Sequence, residues 1–97
     1  MIIEQYKAKN QYIVRYDNLL CFHSYRMTIC CIKNNEIFLN KDYWNNYQSK
    51  TTNRYLYNFL NEFSVLKPKR RSDIEKYIKE NKINFVDLES MKKELLK

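Results

Sequence analysis

Four side chains in one short apolar region carry the types needed for covalent or metal chemistry: Cys21, His23, Cys30 and Cys31. A cysteine nucleophile needs its thiolate, which a neighbouring imidazole at hydrogen-bond reach can supply. Cys21 and His23 are two positions apart, so on a strand they project from one face. No residue is placed to orient the imidazole, and a structural role is the plainer reading of both. The same four residues lack the paired spacing of a zinc site. Cys30 and Cys31 are adjacent and point to opposite faces of a strand, so they cannot line one site together. Three cysteines, an odd number, make a disulfide framework unexpected, and the reading is buried thiols in a reducing compartment. Glycine is absent altogether, which excludes a glycine-rich phosphate loop. Glu75 with Lys79 and Glu89 with Lys93 sit at helical i,i+4 spacing, the pattern of surface pairs rather than acid–base machinery. The residues therefore argue against an enzyme and imply no cofactor and no metal.

Binding chemistry is better represented. The net charge is +7. Residues 1–48 hold six basic and four acidic side chains (+2), and residues 49–97 hold twelve and seven (+5). The densest cluster is Lys67-Pro68-Lys69-Arg70-Arg71, which suits phosphates or an acidic protein surface; a solvated linker is its plain alternative. Tyr43, Trp44 and Tyr47 fall in an expected loop, where large aromatic residues can stack on bases or anchor a protein contact. The plain alternative is that they fold back as a lid on the core. Together with Lys50 and Arg54, these residues make the expected binding surface: Tyr43, Trp44, Tyr47, Lys50, Arg54, Lys67, Lys69, Arg70 and Arg71.

The elements that must position them are short. A chain of 97 residues makes one modest core. Gln11 to Tyr16 reads as a strand, Asp17-Asn18 as a two-residue turn, and Leu19 to His23 as its partner. Arg26 to Lys33 extends or restarts that strand after a bend at Ser24-Tyr25, and Asn34-Asn35 turns it into Glu36 to Asn40. Ile2 to Lys7 adds a possible edge strand. With no glycine, Asn and Asp must make the tight turns. Lys41 to Lys50 is expected as a loop, and Thr51 or Thr52 as the cap of a helix whose Tyr55, Leu56, Phe59, Leu60 and Phe63 share one face. Ser72-Asp73-Ile74-Glu75 matches a capping box and opens a second helix to about Asn81. Asp87 caps a short third one. The expected fold is α+β: an antiparallel meander of three to four strands packed by one helix, with two short C-terminal helices. Residues 1–63 form the core, 64–71 a basic linker, and 72–97 a helical tail packed on the core as one domain. Met1-Ile2-Ile3 is followed at once by Glu4, with no signal-peptide pattern and no apolar run of membrane-spanning length, so the expected location is cytoplasmic.

From Ser24 to Leu60 the chain resembles a family of uncharacterised small proteins from phages and plasmids of low-GC bacteria. The likeness rests on Ser24-Tyr25, Thr28-Ile29, Ile37-Phe38-Leu39-Asn40, Trp44, Tyr47, Ser49, Thr51-Thr52 and Phe59-Leu60. The family pattern is Ser-Tyr-x-Thr, a short strand pair, Trp-x-Tyr-Ser-x-Thr-Thr and a helix ending in Phe-Leu. Tyr55 stands where such proteins often carry a histidine early in that helix. The resemblance implies a mobile-element setting, inside a host bacterial cell, and no particular activity. By extension from that setting, the expected role is a non-enzymatic, anti-CRISPR-like inhibitor of a host nucleic-acid-directed defence complex. Its partner would be a host protein or ribonucleoprotein. The alternative is direct nucleic-acid binding in an accessory or regulatory role. Both readings use the same basic and aromatic residues.

Overall fold

Successive strand residues face opposite sides, and this chain uses the alternation to bury apolar side chains on both faces of one sheet. The computed structural model describes residues 1–96; Lys97, the last residue of the expected tail, lies outside them. The strands are β1 (Ile2–Gln5), β2 (Gln11–Arg15), β3 (Leu19–Ser24), β4 (Met27–Lys33), β5 (Glu36–Asn40) and β6 (Asn84–Val86). They lie in sequential order in one six-stranded sheet. β1 to β5 form an antiparallel meander, and β6 runs parallel to β5. The α+β class holds, but six strands replace the expected three to four. Three features account for the difference, the first being that β1 does join the sheet at its edge. Tyr25 adopts a left-handed backbone (φ 57°), so Ser24 to Met27 is a reversal and the long run splits into β3 and β4. β6 is three residues inside a tail of helical composition, too short for period-2 alternation to show. It docks on the open edge of β5, where Asn84 Nδ2 also donates to the Ile37 carbonyl at 3.0 Å.

Asn34 and Asn35 both take positive φ (51° and 66°), the backbone a tight two-residue hairpin turn needs when glycine is absent. Asn10 and Asn81 do the same (68° and 60°). Lys7 joins them at 64°, which ends β1 before the expected Lys7.

Helix α1 (Lys50–Phe63) lies across one face of the sheet. Leu56, Phe59 and Leu60 on its inner stripe are fully buried. Phe59 stacks on Phe22 of β3 with ring centroids 5.7 Å apart, and Phe22 meets Tyr6 edge-on at 6.1 Å. Burying one such ring is worth roughly 2–3 kcal/mol. Helix α2 (Arg71–Lys79) adds Ile74 to the same core. Helix α3 (Leu88–Leu95) covers the other face, where Leu88 and Leu95 pack with Leu19, Cys21, Cys31 and Phe38. Cys30 and Cys31 accordingly enter different cores.

Four local expectations are corrected. Cys21 and Cys31 form a disulfide, where free thiols were expected. They are direct cross-strand partners of β3 and β4, with Cα atoms 4.1 Å apart, so register brings them together despite an odd cysteine count. Residues Tyr43–Tyr47 form a turn of π-helix, not an open loop. Ser49, not Thr51 or Thr52, caps α1, because its hydroxyl accepts the Thr52 amide at 3.1 Å. Ser72 lies within α2; the cap there comes from Asp73, whose carboxylate accepts the amides of Lys69 (2.8 Å) and Arg70 (3.2 Å). The connecting segment 64–71 is held against the fold. Leu66 and Pro68 are buried, and Asn61 Nδ2 donates to the Pro68 carbonyl at 2.8 Å.

Candidate nucleic-acid interface

Where α1 begins, its residues Lys50, Asn53, Arg54 and Tyr57 recur at i, i+3, i+4 and i+7 and so share one face. This face is distinct from the apolar stripe of Leu56, Phe59 and Leu60. Opposite it runs the entry to α2, with Lys69 and Arg71. Between the two lies an open cleft of about 690 Å³, lined by Gln48, Ser49, Lys50, Thr51, Asn53, Arg54, Tyr57, Lys69 and Arg71. Its lining contains four cationic side chains and no carboxylate. The carboxylates beside it are already engaged. Asp73 holds the Lys69 and Arg70 amides, which together with nearby Arg70 and Lys76 lower its carboxyl below the usual range. Glu75 pairs with Arg71 at 3.1 Å.

Backbone charge has the same sign. The amide of Ser49 donates to the Tyr43 hydroxyl (3.3 Å), and that of Thr52 to Ser49 Oγ (3.1 Å). Helix geometry leaves the amides of Lys50 and Thr51 directed out of the first turn, at the end of the helix dipole that favours anions. Both residues line the cleft.

A partly buried polar network fixes this wall. Tyr43 donates to Asn53 Oδ1 at 2.6 Å, Asn53 Nδ2 donates to Gln48 Oε1 at 2.9 Å, and Gln48 Nε2 donates to the Trp44 carbonyl at 2.8 Å. Burial pushes the Tyr43 phenol above its ordinary range, so it remains a donor at neutral pH. A second link ties the helix start to the sheet, where the buried hydroxyls of Ser24 and Thr52 lie 2.9 Å apart.

Of the nine residues expected on a binding surface, Lys50, Arg54, Lys69 and Arg71 meet in the cleft. Tyr43 (3% exposed) and Trp44 (7%) do not form an outward patch, which corrects the expectation that they offer their rings to a partner. The π turn directs both into the core, and Tyr43 serves as a prop for the cleft wall. Trp44 still meets the basic cluster, since the Arg71 guanidinium lies 6.0 Å from its ring centroid. Tyr47 is exposed. Lys67 is turned away and donates to the carbonyls of Asn61 (2.6 Å) and Ser64 (3.3 Å) at the far end of α1. Arg70 is exposed but is not among the lining residues. Gln48, Ser49, Thr51, Asn53 and Tyr57 also line the cleft and were not expected there. The signal for Asn53 and Tyr57 was the i, i+3, i+4, i+7 face that starts at Lys50, whereas Gln48 lies before the helix, where no such period reaches.

His23 lies outside the cleft. Its Nδ1 is 3.2 Å from Thr28 Oγ1, and burial, aided by Lys92, lowers its pKa to about 4. Cys21, with its sulfur in the disulfide, is no free nucleophile in this state.

A mostly antiparallel sheet, helices on both faces and a cleft lined by basic side chains at the head of α1 define a small α+β protein with a basic hollow. Residues 2–76 match a profile for a family of unknown function, DUF8033, and the chain belongs to that family. No curated protein and no solved structure matches it. Among the described residues, no helix is long and apolar enough to cross a membrane.

Proposed function

We propose that this protein is a non-enzymatic binding protein that holds the phosphate backbone of a nucleic acid in the cleft between α1 and α2. The observation that carries this reading is the convergence of Lys50, Arg54, Lys69 and Arg71 on one hollow that no carboxylate lines. Long cationic side chains around a concave surface attract phosphates without regard to sequence. Tyr57 in the same wall offers a ring for contact with sugar or base.

Salt titration of a labelled random single-stranded oligonucleotide tests the proposal. Each phosphate neutralised on a single strand contributes about −0.7 to the slope of log K against log salt, so four cations predict a slope near −3. The double variant Arg54→Glu/Lys69→Glu should lose most of the affinity and flatten the slope. Absence of binding by the wild type at low salt would overturn the reading.

A second reading is an anti-CRISPR-like inhibitor in the host cytoplasm that occupies a nucleic-acid-binding surface of a defence complex. It draws on the phage and plasmid setting that the resemblance implies. Its structural support is the β1 edge, where Ile2 and Ile3 are each 59% exposed on a strand whose outer side has no partner among the described residues. Open strand edges invite pairing with another protein. If this reading holds, Ile3→Lys abolishes protection of phage in a host carrying the defence system, while oligonucleotide binding is unchanged.

A further inference from the structure

One end of the sheet is made of reversals that carry cations. The β1–β2 turn brings Lys7 and Lys9 to this end, the β3–β4 turn brings Tyr25 and Arg26, and the exit from β5 brings Lys41. Hydrogen bonds tie these turns to one another and to the cleft wall. Ser24 Oγ lies 2.9 Å from Thr52 Oγ1 in the first turn of α1, and the Tyr25 amide donates to the Asn10 carbonyl at 2.6 Å. Asn40, just before Lys41, donates from Nδ2 to the Thr28 carbonyl at 2.7 Å. Lys9, Arg26 and Lys41 are exposed, and among the described residues none of them pairs with a carboxylate. The acidic side chains beside them are engaged. Asp42 accepts from Asn46 Nδ2 at 2.7 Å, and Glu62 faces Lys7 at 3.9 Å.

Tyr25 is the anomaly at this end. Among the described residues six take positive φ, and four of them are asparagine, the type that tolerates such backbone best after glycine. A bulky ring at φ 57° is disfavoured, and packing does not compensate for it. Tyr25 is 64% exposed, and its side chain makes no hydrogen bond or ring contact among the described residues. Backbone strain under an exposed side chain points to a contact residue rather than a fold residue. We propose that a single-stranded nucleic acid held in the cleft continues over this end of the sheet, with phosphates on Lys9, Arg26 and Lys41 and an unpaired base on the Tyr25 ring. Cations along a path with a free ring beside them are what a single strand requires, since every base has a face to stack. Bases in a duplex are already stacked and paired, and offer no free face to a side chain. This inference rests on the backbone-binding reading above and adds the ligand class and the span of the site.

Two lengths of labelled oligo-dT, roughly 4 and 16 nucleotides, bracket the site sizes of single-strand grooves and are titrated against the full chain at several salt concentrations. The short probe can fill the cleft alone. It should give a slope of log K against log salt near −3, while the long probe, reaching three more cations, should give about −5. Lys9→Gln/Arg26→Gln should bring the slope for the long probe back to about −3.5. Tyr25→Asn gives the turn a better-suited residue, so its urea midpoint should be no lower than that of the wild type. The same variant should bind the long probe roughly tenfold more weakly and the short probe as before, with Tyr25→Phe behaving as wild type. A lowered urea midpoint in Tyr25→Asn would assign the ring to the fold and overturn its contact with a base. Equal slopes for the two probes, with Tyr25→Asn binding both as the wild type does, would overturn the extended path and leave the cleft standing. Failure of the wild type to bind either probe at low salt would overturn both.

Discussion

At the scale of single residues, position overrode chemical type. Tyr43 and Trp44 have the side chains of a contact surface, yet the π turn directs them inward. Lys67 belongs to the densest basic run in the chain but spends its ammonium group on the carbonyls at the end of α1. Composition shows which residues can bind, and backbone geometry decides which of them face outward. His23 gives a direct test of its surroundings. Burial, then the charge of Lys92, lowers its pKa from 6.5 to about 4. Above pH 6.5 the ring is neutral in both folded and unfolded chains. Between pH 6.5 and about 4 the unfolded chain takes up a proton that the folded one does not, so stability falls as the pH drops through this window. Urea midpoints measured from pH 7 to pH 4 should decline more steeply for the wild type than for His23→Gln. Parallel curves would show that the ring is not held neutral. The same residue shows what was legible. Its partnership with Thr28 depends on a register shift between Phe22 and His23, which no local pattern announces.

At the scale of elements, the strongly periodic segments were readable and the short ones were not. The stripe of Leu56, Phe59 and Leu60 announced α1, and β5 spans Glu36–Asn40 as its apolar run and preceding Asn-Asn turn suggested. β6 and the π turn are three and five residues long, too short for a period to emerge, and both are set by what they pack against. The cap of α1 was misplaced by a few residues because Ser49, Thr51 and Thr52 are all suitable types. Only geometry shows that Ser49 accepts the Thr52 amide, while Thr52 turns its own hydroxyl towards Ser24. Ser49→Ala should therefore cost about 1 kcal/mol in chemical denaturation, with Ser49→Gly costing a few tenths. Because the cap also orders the first turn of the cleft wall, oligonucleotide affinity should fall in the alanine variant. Unchanged stability in Ser49→Ala would show that the cap bond does not support the helix.

The whole molecule is a sheet with a core on each side, and the two differ in how they are closed. The α1 face is large and aromatic, built on Phe22, Phe59 and Tyr6. The α3 face is smaller and rests on the Cys21–Cys31 disulfide, whose cysteines are at most 1% exposed. Because the bond cross-links adjacent strands at a sequence separation of 10, reduction should release chain entropy in the unfolded state and cost about 2–3 kcal/mol. For a domain of this size that is a drop in Tm of roughly 10–20 °C, readable by thermal denaturation with and without a reductant. The variant Cys21→Ala/Cys31→Ala should be insensitive to the reductant. A wild-type Tm equally insensitive would mean that the cross-link adds nothing to the fold.

The order of the elements along the chain has a further consequence during translation. Leu19, Cys21, Cys31 and Phe38 emerge before Leu88 and Leu95, which shield them from at least 50 positions further along. Until α3 follows, the nascent sheet therefore has one bare greasy side, a natural place for a chaperone to wait.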